Sequence, residues 1–182
     1  MPETIFIGVA WPYTNGYLHL GHLAGCYMAA DIFARYHRTK GDRVLMVSGS
    51  DQHGTPVTLR AEEEGVSPQA IVDKFRASQL EVWERLGIGF DNYTTTGTEN
   101  HRQTVQEMFL DLLGKGLIYK ANTTQLYDVE AKRFLPDRYV EGVCPNCKNP
   151  KARGDQCDNC GKPMDPLELM TPRSKLSGSA PV

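Results

Sequence analysis

Apolar and polar positions along this chain switch between a strand pattern and a helix pattern. Ile5-Phe6-Ile7-Gly8-Val9-Ala10 is an almost unbroken apolar run with β-branched residues, as expected of a parallel-sheet strand covered on both faces. It stops at Trp11-Pro12-Tyr13-Thr14-Asn15-Gly16, where Pro and Asn-Gly supply turn chemistry. Leu20, Leu23, Ala24, Tyr27 and Met28 then fall on one helical face, and that helix ends near Lys40-Gly41. Val44-Leu45-Met46-Val47 predicts a second buried strand, running into Ser48-Gly49-Ser50-Asp51-Gln52-His53-Gly54. Strand, helix, strand is a βαβ unit, so the fold class is α/β with a Rossmann-like parallel sheet.

Two further helices follow. Ser67-Pro68 is an N-cap with proline at the first helical position, and Ile71, Phe75, Val82 and Leu86 supply its apolar stripe. Thr98 caps another helix through Val105, Met108, Phe109 and Leu112, closed by Gly114 and Gly116. Beyond that point the pattern changes. Leu117 to Tyr127 reads as strand or hairpin, and Pro, Gly, Asn, Cys and charged residues dominate from Pro136 onward. The expected division is therefore 1–116 as an α/β domain and 117–182 as a smaller module. Arg173-Ser174-Lys175 and the residues after it read as an exposed polar linker.

Composition narrows the class. With 182 residues, 40% hydrophobic and 23% charged, the chain is long enough for a real core and is not generally disordered. A net charge of −2 argues against a binder driven by phosphate attraction alone. No apolar stretch approaches a membrane span, and Met1-Pro2-Glu3-Thr4 carries no secretory pattern, so a cytoplasmic location without membrane association is expected.

His19-Leu20-Gly21-His22 sits where the first strand hands over to the first helix. A helix start offers N–H groups and a partial positive charge to a phosphate, and histidines three apart lie on one side of the turn. Gly21 leaves space for a nucleotide ring or ribose. Two imidazole donors there can stabilise the charge that develops as pyrophosphate leaves. A surface pair without function, or a zinc pair, are the alternatives for so short a pattern. Asp51 and His53 lie at the carboxyl end of the second strand, where open α/β sheets bind ligands. Asp51 can neutralise a substrate ammonium, or simply cap the next turn.

Four of the five cysteines are bunched: Cys144-Pro145-Asn146-Cys147 and Cys157-Asp158-Asn159-Cys160 form C-x2-C-x9-C-x2-C. Four soft ligands with no open position indicate one structural tetrahedral Zn2+ per chain; disulfides and an iron–sulfur site are the alternatives. Cys26, alone on the first helix, is expected to be a packed thiol.

The stretch Trp11-Pro12-Tyr13-Thr14-Asn15-Gly16-Tyr17-Leu18-His19-Leu20-Gly21-His22 resembles the signature of class I aminoacyl-tRNA synthetases, and more narrowly that of the methionyl-tRNA synthetase family. Asp51-Gln52-His53-Gly54-Thr55-Pro56 resembles that family's second block. Gln125-Leu126-Tyr127-Asp128 with Phe134-Leu135-Pro136-Asp137-Arg138 resembles its approach to a zinc knuckle. The resemblance covers essentially the whole chain. It implies the first half of the synthetase catalytic fold with a small zinc-knuckle insertion. The implied activity is ATP-dependent conversion of methionine to methionyl-adenylate, then transfer to the 3′ end of its tRNA.

The resemblance also implies roles. His19 and His22 engage the ATP phosphates as the catalytic pair, with Tyr13, Asn15, Gly16 and Gly21 beside the nucleotide. Ala10, Trp11, Tyr13, Asp51 and His53 hold methionine, and Mg2+ accompanies ATP. The family's second half-sheet, with its Lys-Met-Ser-Lys-Ser-like loop, has no counterpart in these residues. The chain is thus expected to be an N-terminal part, cut within the connective insertion, that is inactive and does not bind tRNA tightly alone. A zinc-ribbon binding module on an α/β scaffold and a small nucleotidylyltransferase are the competing classes.

Overall fold

The computed structural model describes residues 2–182, which divide into two compact units, Met1–Ile118 and Tyr119–Val182. The first unit is built on a parallel three-stranded sheet of β1 (Thr4–Gly8), β2 (Arg43–Ser50) and β3 (Asn92–Thr95), in the order β1-β2-β3. The central strand β2 pairs Ile5 with Val44 on one side and Val47 with Asn92 on the other. The polar strand β3, Asn-Tyr-Thr-Thr, carries no apolar pattern that would have announced it.

The connection from β1 to β2 is helical but not uniform. A single turn α1 (Leu20–His22) passes into a π-helical turn (Leu23–Tyr27) and then into α2 (Met28–Lys40). A π turn holds extra backbone, which rotates every later position relative to a continuous α-helix. Hence Tyr27 is buried while Leu20 and Met28, expected on the same face, are exposed. Gly41, left-handed, ends α2.

After β2 come α3 (Thr55–Glu64), α4 (Pro68–Leu86) and, beyond β3, α5 (Glu99–Gly114). Helix α3 has only Val57 and Ala61 as buried residues, too thin a stripe to stand out in the sequence. In α4, Ser67 accepts from the Ala70 N–H as a cap and Gly87 closes the helix. Its buried face is Ile71, Val72, Phe75, Gln79 and Trp83; Leu86 is exposed.

Among the described residues, helices bury one face of the sheet. Val9, Tyr27, Ala34, Met46, Trp83 and Ile88 form one core cluster, with Ile7, Val44 and Cys26 packed half-buried against it. Val57, Ala61, Ile71, Val72 and Phe75 form a second, between α3 and α4. On the other face Phe6 and Leu45 are cross-strand partners and remain 68% and 48% exposed. The expectation of a first strand covered on both faces therefore fails in this chain. Helix α5 forms as expected, capped by Thr98, yet none of its residues is buried.

The second unit has little regular structure. A two-stranded antiparallel pair, β4 (Tyr127–Asp128) with β5 (Arg133–Phe134), stands beside a three-stranded antiparallel sheet in the order β7-β6-β8. Those strands are β6 (Val140–Val143), β7 (Ala152–Arg153) and β8 (Met170–Ser174). Residues 117–126 contain no strand, so the hairpin expected there begins only at Tyr127. Arg173-Ser174 is not a free linker: Ser174 is buried, paired with Val140 in the sheet. The last residues fold back, with Val182 exchanging both backbone hydrogen bonds with Tyr127 at 2.7 and 2.9 Å. Among the described residues no helix is long and apolar enough to cross a membrane.

Candidate active site and metal centre

Parallel strands end on the same edge, so the segments after β1 and β2 leave the sheet side by side. They stay paired for a few residues more. The Asp51 N–H donates to the Pro12 carbonyl and the Thr14 N–H to the Asp51 carbonyl, each at 2.9 Å, making a bridge between Tyr13 and Asp51. Two blocks far apart in sequence thus meet at the carboxyl edge of the sheet. Pro12 and Thr14 are buried in this crossing, while Ala10, Trp11 and Tyr13, between and beside them, are exposed. Asn15 and Gly16 form the half-buried turn that follows.

Trp11 depends on a missing side chain. A Cβ on Gly49 would lie 2.8 Å from the Trp11 indole and 2.8 Å from the Thr94 carbonyl oxygen. Glycine at 49 therefore lets the indole cross β2 and lets β3 approach from the other side. The ring ends 6.4 Å from that of His101, at the start of α5.

Asp51 is half-buried, and its Oδ1 accepts from the His53 N–H at 3.3 Å. The turn-capping role is thus real, but it occupies one carboxylate oxygen. His53 is exposed, and its Nε2 meets the Thr96 carbonyl at 3.2 Å.

His19 and His22 cap one another. The Nδ1 of His19 accepts from the His22 N–H, and the Nδ1 of His22 from the His19 N–H, both at 3.3 Å. Their rings stack, with centroids 3.7 Å apart and planes 19° from parallel. An Nδ1 that accepts carries no proton, so the neutral ring bears its hydrogen on Nε2. Both exposed imidazoles therefore keep Nε2–H as the free donor. The space at Gly21 is bounded by the His19 ring, 3.0 Å from where a Cβ would stand.

The network behind this edge had only a faint sequence signal. Gln79, 1% exposed, continues the apolar positions Ile71 and Phe75 at four-residue spacing, with Trp83 next. A lone amide in such a stripe is what betrays it. Its Oε1 accepts from Ser50 Oγ at 2.7 Å and Tyr93 OH at 3.1 Å, and its Nε2 donates to the Tyr13 carbonyl at 3.1 Å. Burial raises the Tyr93 phenol above its ordinary range.

In the second unit, Cys144, Cys147, Cys157 and Cys160 converge, with all four sulfurs within 4.8 Å of one another. Cys144 and Cys160 Sγ are 3.9 Å apart, and Cys147 and Cys157 Sγ 3.6 Å. A disulfide needs ~2.05 Å, whereas four thiolates ~2.3 Å from one metal stand ~3.8 Å apart along a tetrahedral edge. The spacing fits a shared metal and not a disulfide.

The two halves of the cluster repeat one backbone design. Cys144 and Cys157 donate N–H to the carbonyls of Asn149 and Lys162, and accept from Lys148 and Gly161, which are left-handed at φ 62° and 69°. Asn146 Nδ2 donates to Cys160 Sγ at 3.6 Å and Asn159 Nδ2 to Cys147 Sγ at 3.5 Å, so each knuckle supports a sulfur of the other. Asn149 adds a donor to Cys157, whose thiol is lowered to about 6, chiefly by the Cys160 backbone N–H. Donors of this kind stabilise thiolate, the form a metal requires.

Comparison with known proteins gives the family. The family model for tRNA synthetases class I (M) matches residues 5–182. The methionine–tRNA ligase of Dehalococcoides mccartyi is 60% identical over 170 residues, 93% of this chain and 31% of that protein. That of Thermomicrobium roseum is 56% identical over 182 residues, 100% of this chain and 31% of the relative. Among solved structures, Mycobacterium tuberculosis methionyl-tRNA synthetase in complex with methionyl-adenylate aligns with a TM-score of 0.67 at 26% identity, over 88% of this chain and 30% of that one. The Agrobacterium radiobacter LeuRS of a ternary complex with tRNA and LeuAMS aligns at 0.66 and 27% identity, over 84% and 20%. This chain spans about a third of the length of the curated relatives it matches, 31% of the first. With a match running from residue 5 to residue 182, the chain belongs to the class I tRNA synthetases (M).

Proposed function

We propose that the chain is the N-terminal part of a cytoplasmic methionine–tRNA ligase, comprising the first half of its nucleotide-binding domain and the start of its connective insertion. The observation that carries this reading is the Tyr13–Asp51 bridge, which joins the two blocks at the carboxyl edge of a parallel sheet. In the complete enzyme the methionine carboxylate attacks the α-phosphate of ATP, and pyrophosphate leaves. His19 and His22 donate from Nε2–H to phosphate oxygens whose charge grows in that step. Both rings are held by mutual capping before substrate arrives, so little reorganisation accompanies the reaction.

Asp51 presents its remaining carboxylate oxygen to the methionine ammonium, with Ala10, Trp11, Tyr13 and His53 around the amino acid. Asn15, Gly16 and Gly21 leave room for the nucleotide. Mg2+ bound with ATP supplies further charge neutralisation on the phosphates. Cys144, Cys147, Cys157 and Cys160 hold one structural Zn2+, a borderline-soft ion suited to four thiolates. The 3′ end of tRNA is the acceptor of the activated methionine; this chain alone is not expected to hold tRNA tightly.

Methionine-dependent exchange of pyrophosphate into ATP, measured on the complete protein carrying this sequence, tests the reading. Exchange is expected with methionine and not with leucine or valine. His19→Ala or His22→Ala should each lower it by about 10²–10³. Equal stimulation by leucine, or histidine variants at full rate, would refute the assignment.

A further inference from the structure

We propose that Gln79 is a positioning residue for the amino-acid site: it fixes the Tyr13–Asp51 crossing from behind. The assignment rests on the methionine-site reading above and adds to it a residue that lies in neither signature block.

Three separate segments converge on this one amide. Tyr13 belongs to the loop after β1, Ser50 is the last residue of β2, and Tyr93 lies in β3. Gln79 reaches all of them from α4 through the two acceptor bonds and one donor bond given above. Ser50 Oγ and Tyr93 OH are also 3.1 Å apart, so the hydroxyls and the amide oxygen close into a triangle. The Gln79 and Ser50 side chains are buried away from bulk solvent, so a lost partner is costly. The bond to Tyr13 is the one that reaches the candidate site. It holds a carbonyl whose neighbours, Pro12 and Thr14, make the two backbone bonds to Asp51.

Side-chain chemistry restricts what could stand there. The position needs one donor toward Tyr13 and one acceptor for two hydroxyls, both at the third heavy atom beyond Cβ. Ionised glutamate keeps the acceptor and loses the donor. Methionine keeps the volume and loses both. Released from Gln79, the Tyr13 carbonyl has no side-chain donor in this network, and the loop carrying Trp11 and Tyr13 loses its anchor to α4. Asp51 then loses the fixed partner that sets its place beside the loop. The effect should fall more on methionine than on ATP: Tyr13, Asn15 and Gly16 share the loop, but the phosphates are met by His19 and His22, which are held by each other.

The test is Gln79→Met in the complete synthetase, with the KM values for methionine and ATP read separately by pyrophosphate exchange. The methionine KM should rise about tenfold, the scale of one lost buried hydrogen bond, while the ATP KM stays within about twofold. Tyr93→Phe, which leaves the Gln79–Tyr13 bond in place, should stay within about threefold of the parent for both. A folded Gln79→Met enzyme with unchanged methionine KM, or with both KM values raised equally, overturns the proposal.

Should Gln79→Met fail to fold, Gln79→Leu carries the same expectation and the same refutation, since it too has no donor for the Tyr13 carbonyl. A second measurement needs no activity. In the 182-residue chain, hydrogen exchange at the Thr14 and Asp51 amides should quicken in either variant, while the Met46 amide in β2 keeps its rate. Unchanged exchange at Thr14 and Asp51 overturns the tie itself. Absence of methionine-dependent exchange in the parent enzyme would instead overturn the site reading and leave the amide result to judge Gln79.

Discussion

Helices packed on a sheet carry the burial in Met1–Ile118, where Phe75, Trp83 and Tyr27 from the helices and Met46 from β2 are at 4% exposure or less. In Tyr119–Val182 the longest strand has five residues, and the buried apolar set is small: Leu126, Leu135, Tyr139, Val140, Ala152, Leu169 and two of the cysteines. A unit of that size rarely buries enough apolar surface to order itself. The second unit instead concentrates its order in directional chemistry. Four sulfurs converge on one point, and buried Asp128 accepts from the Glu130 and Ala131 backbone N–H groups and from Ser177 Oγ. The first unit should therefore answer to packing, and the second to metal and to protons.

Removing the metal is the strongest way to break that contrast. Structural zinc sites bind with about 10–16 kcal/mol in small domains, more than such a unit's core supplies. A chelator, or Cys144→Ser or Cys157→Ser, should expose the second unit to protease and to hydrogen exchange, while β1 and β2 stay protected. Zinc content retained at one per chain in Cys157→Ser, with unchanged protection, would remove the metal from its structural role.

Phe75→Ala probes the opposite side. Phe75 is 1% exposed and meets the edge of Tyr17 with centroids 5.1 Å apart. Loss of a buried Phe costs ~3–5 kcal/mol. Denaturation should show that loss in the first unit, with zinc content unaltered. Zinc released on Phe75→Ala would mean the two units do not respond separately.

The smallest effect concerns acid. The Ala131 backbone N–H, with Ser174 and Ser177 and the Glu130 N–H, holds the Asp128 carboxyl down to about 2. A depressed carboxyl stabilises the fold above its ordinary titration near pH 4, and that contribution disappears as pH falls toward 2. Asp128→Asn should therefore be less stable than the parent at neutral pH, with the gap closing between about pH 4 and 2. Ser179 and Val182 amides report it, since both lie in the segment that returns to Asp128 and Tyr127. A gap independent of pH would show that the hydroxyl and amide contacts, not the charge, matter there.

Legibility differed between the units for the same physical reason. The βαβ unit is written in local periodicity, and Ser67, Thr98, Gly41 and Gly116 act at the helix ends where their chemistry placed them. The cysteine spacing alone specified a four-ligand centre. Polar strand β3 escaped notice because its place is set by pairing with β2 and not by an apolar pattern. The exposed face of Phe6 and Leu45 departs from the buried strands expected there, since periodicity says which residues want cover and not whether cover exists; the apolar residues of α5 stand bare for the same reason.

The sequence by itself determined the strand–helix–strand order, the histidine pair at the helix start, Asp51 at the end of the second strand and the tetracysteine set. Each of these depends on spacing within a short window, where backbone geometry leaves few options. Tertiary structure alone decided that His19 and His22 cap each other, that Gly49 makes room for Trp11, that Gln79 backs the Tyr13–Asp51 crossing, and that Asn146 and Asn159 support sulfurs of the opposite knuckle. Apart from the histidine caps, those contacts join residues brought together only when distant segments pack. Even for the histidines, spacing could not say which ring nitrogen would be left free.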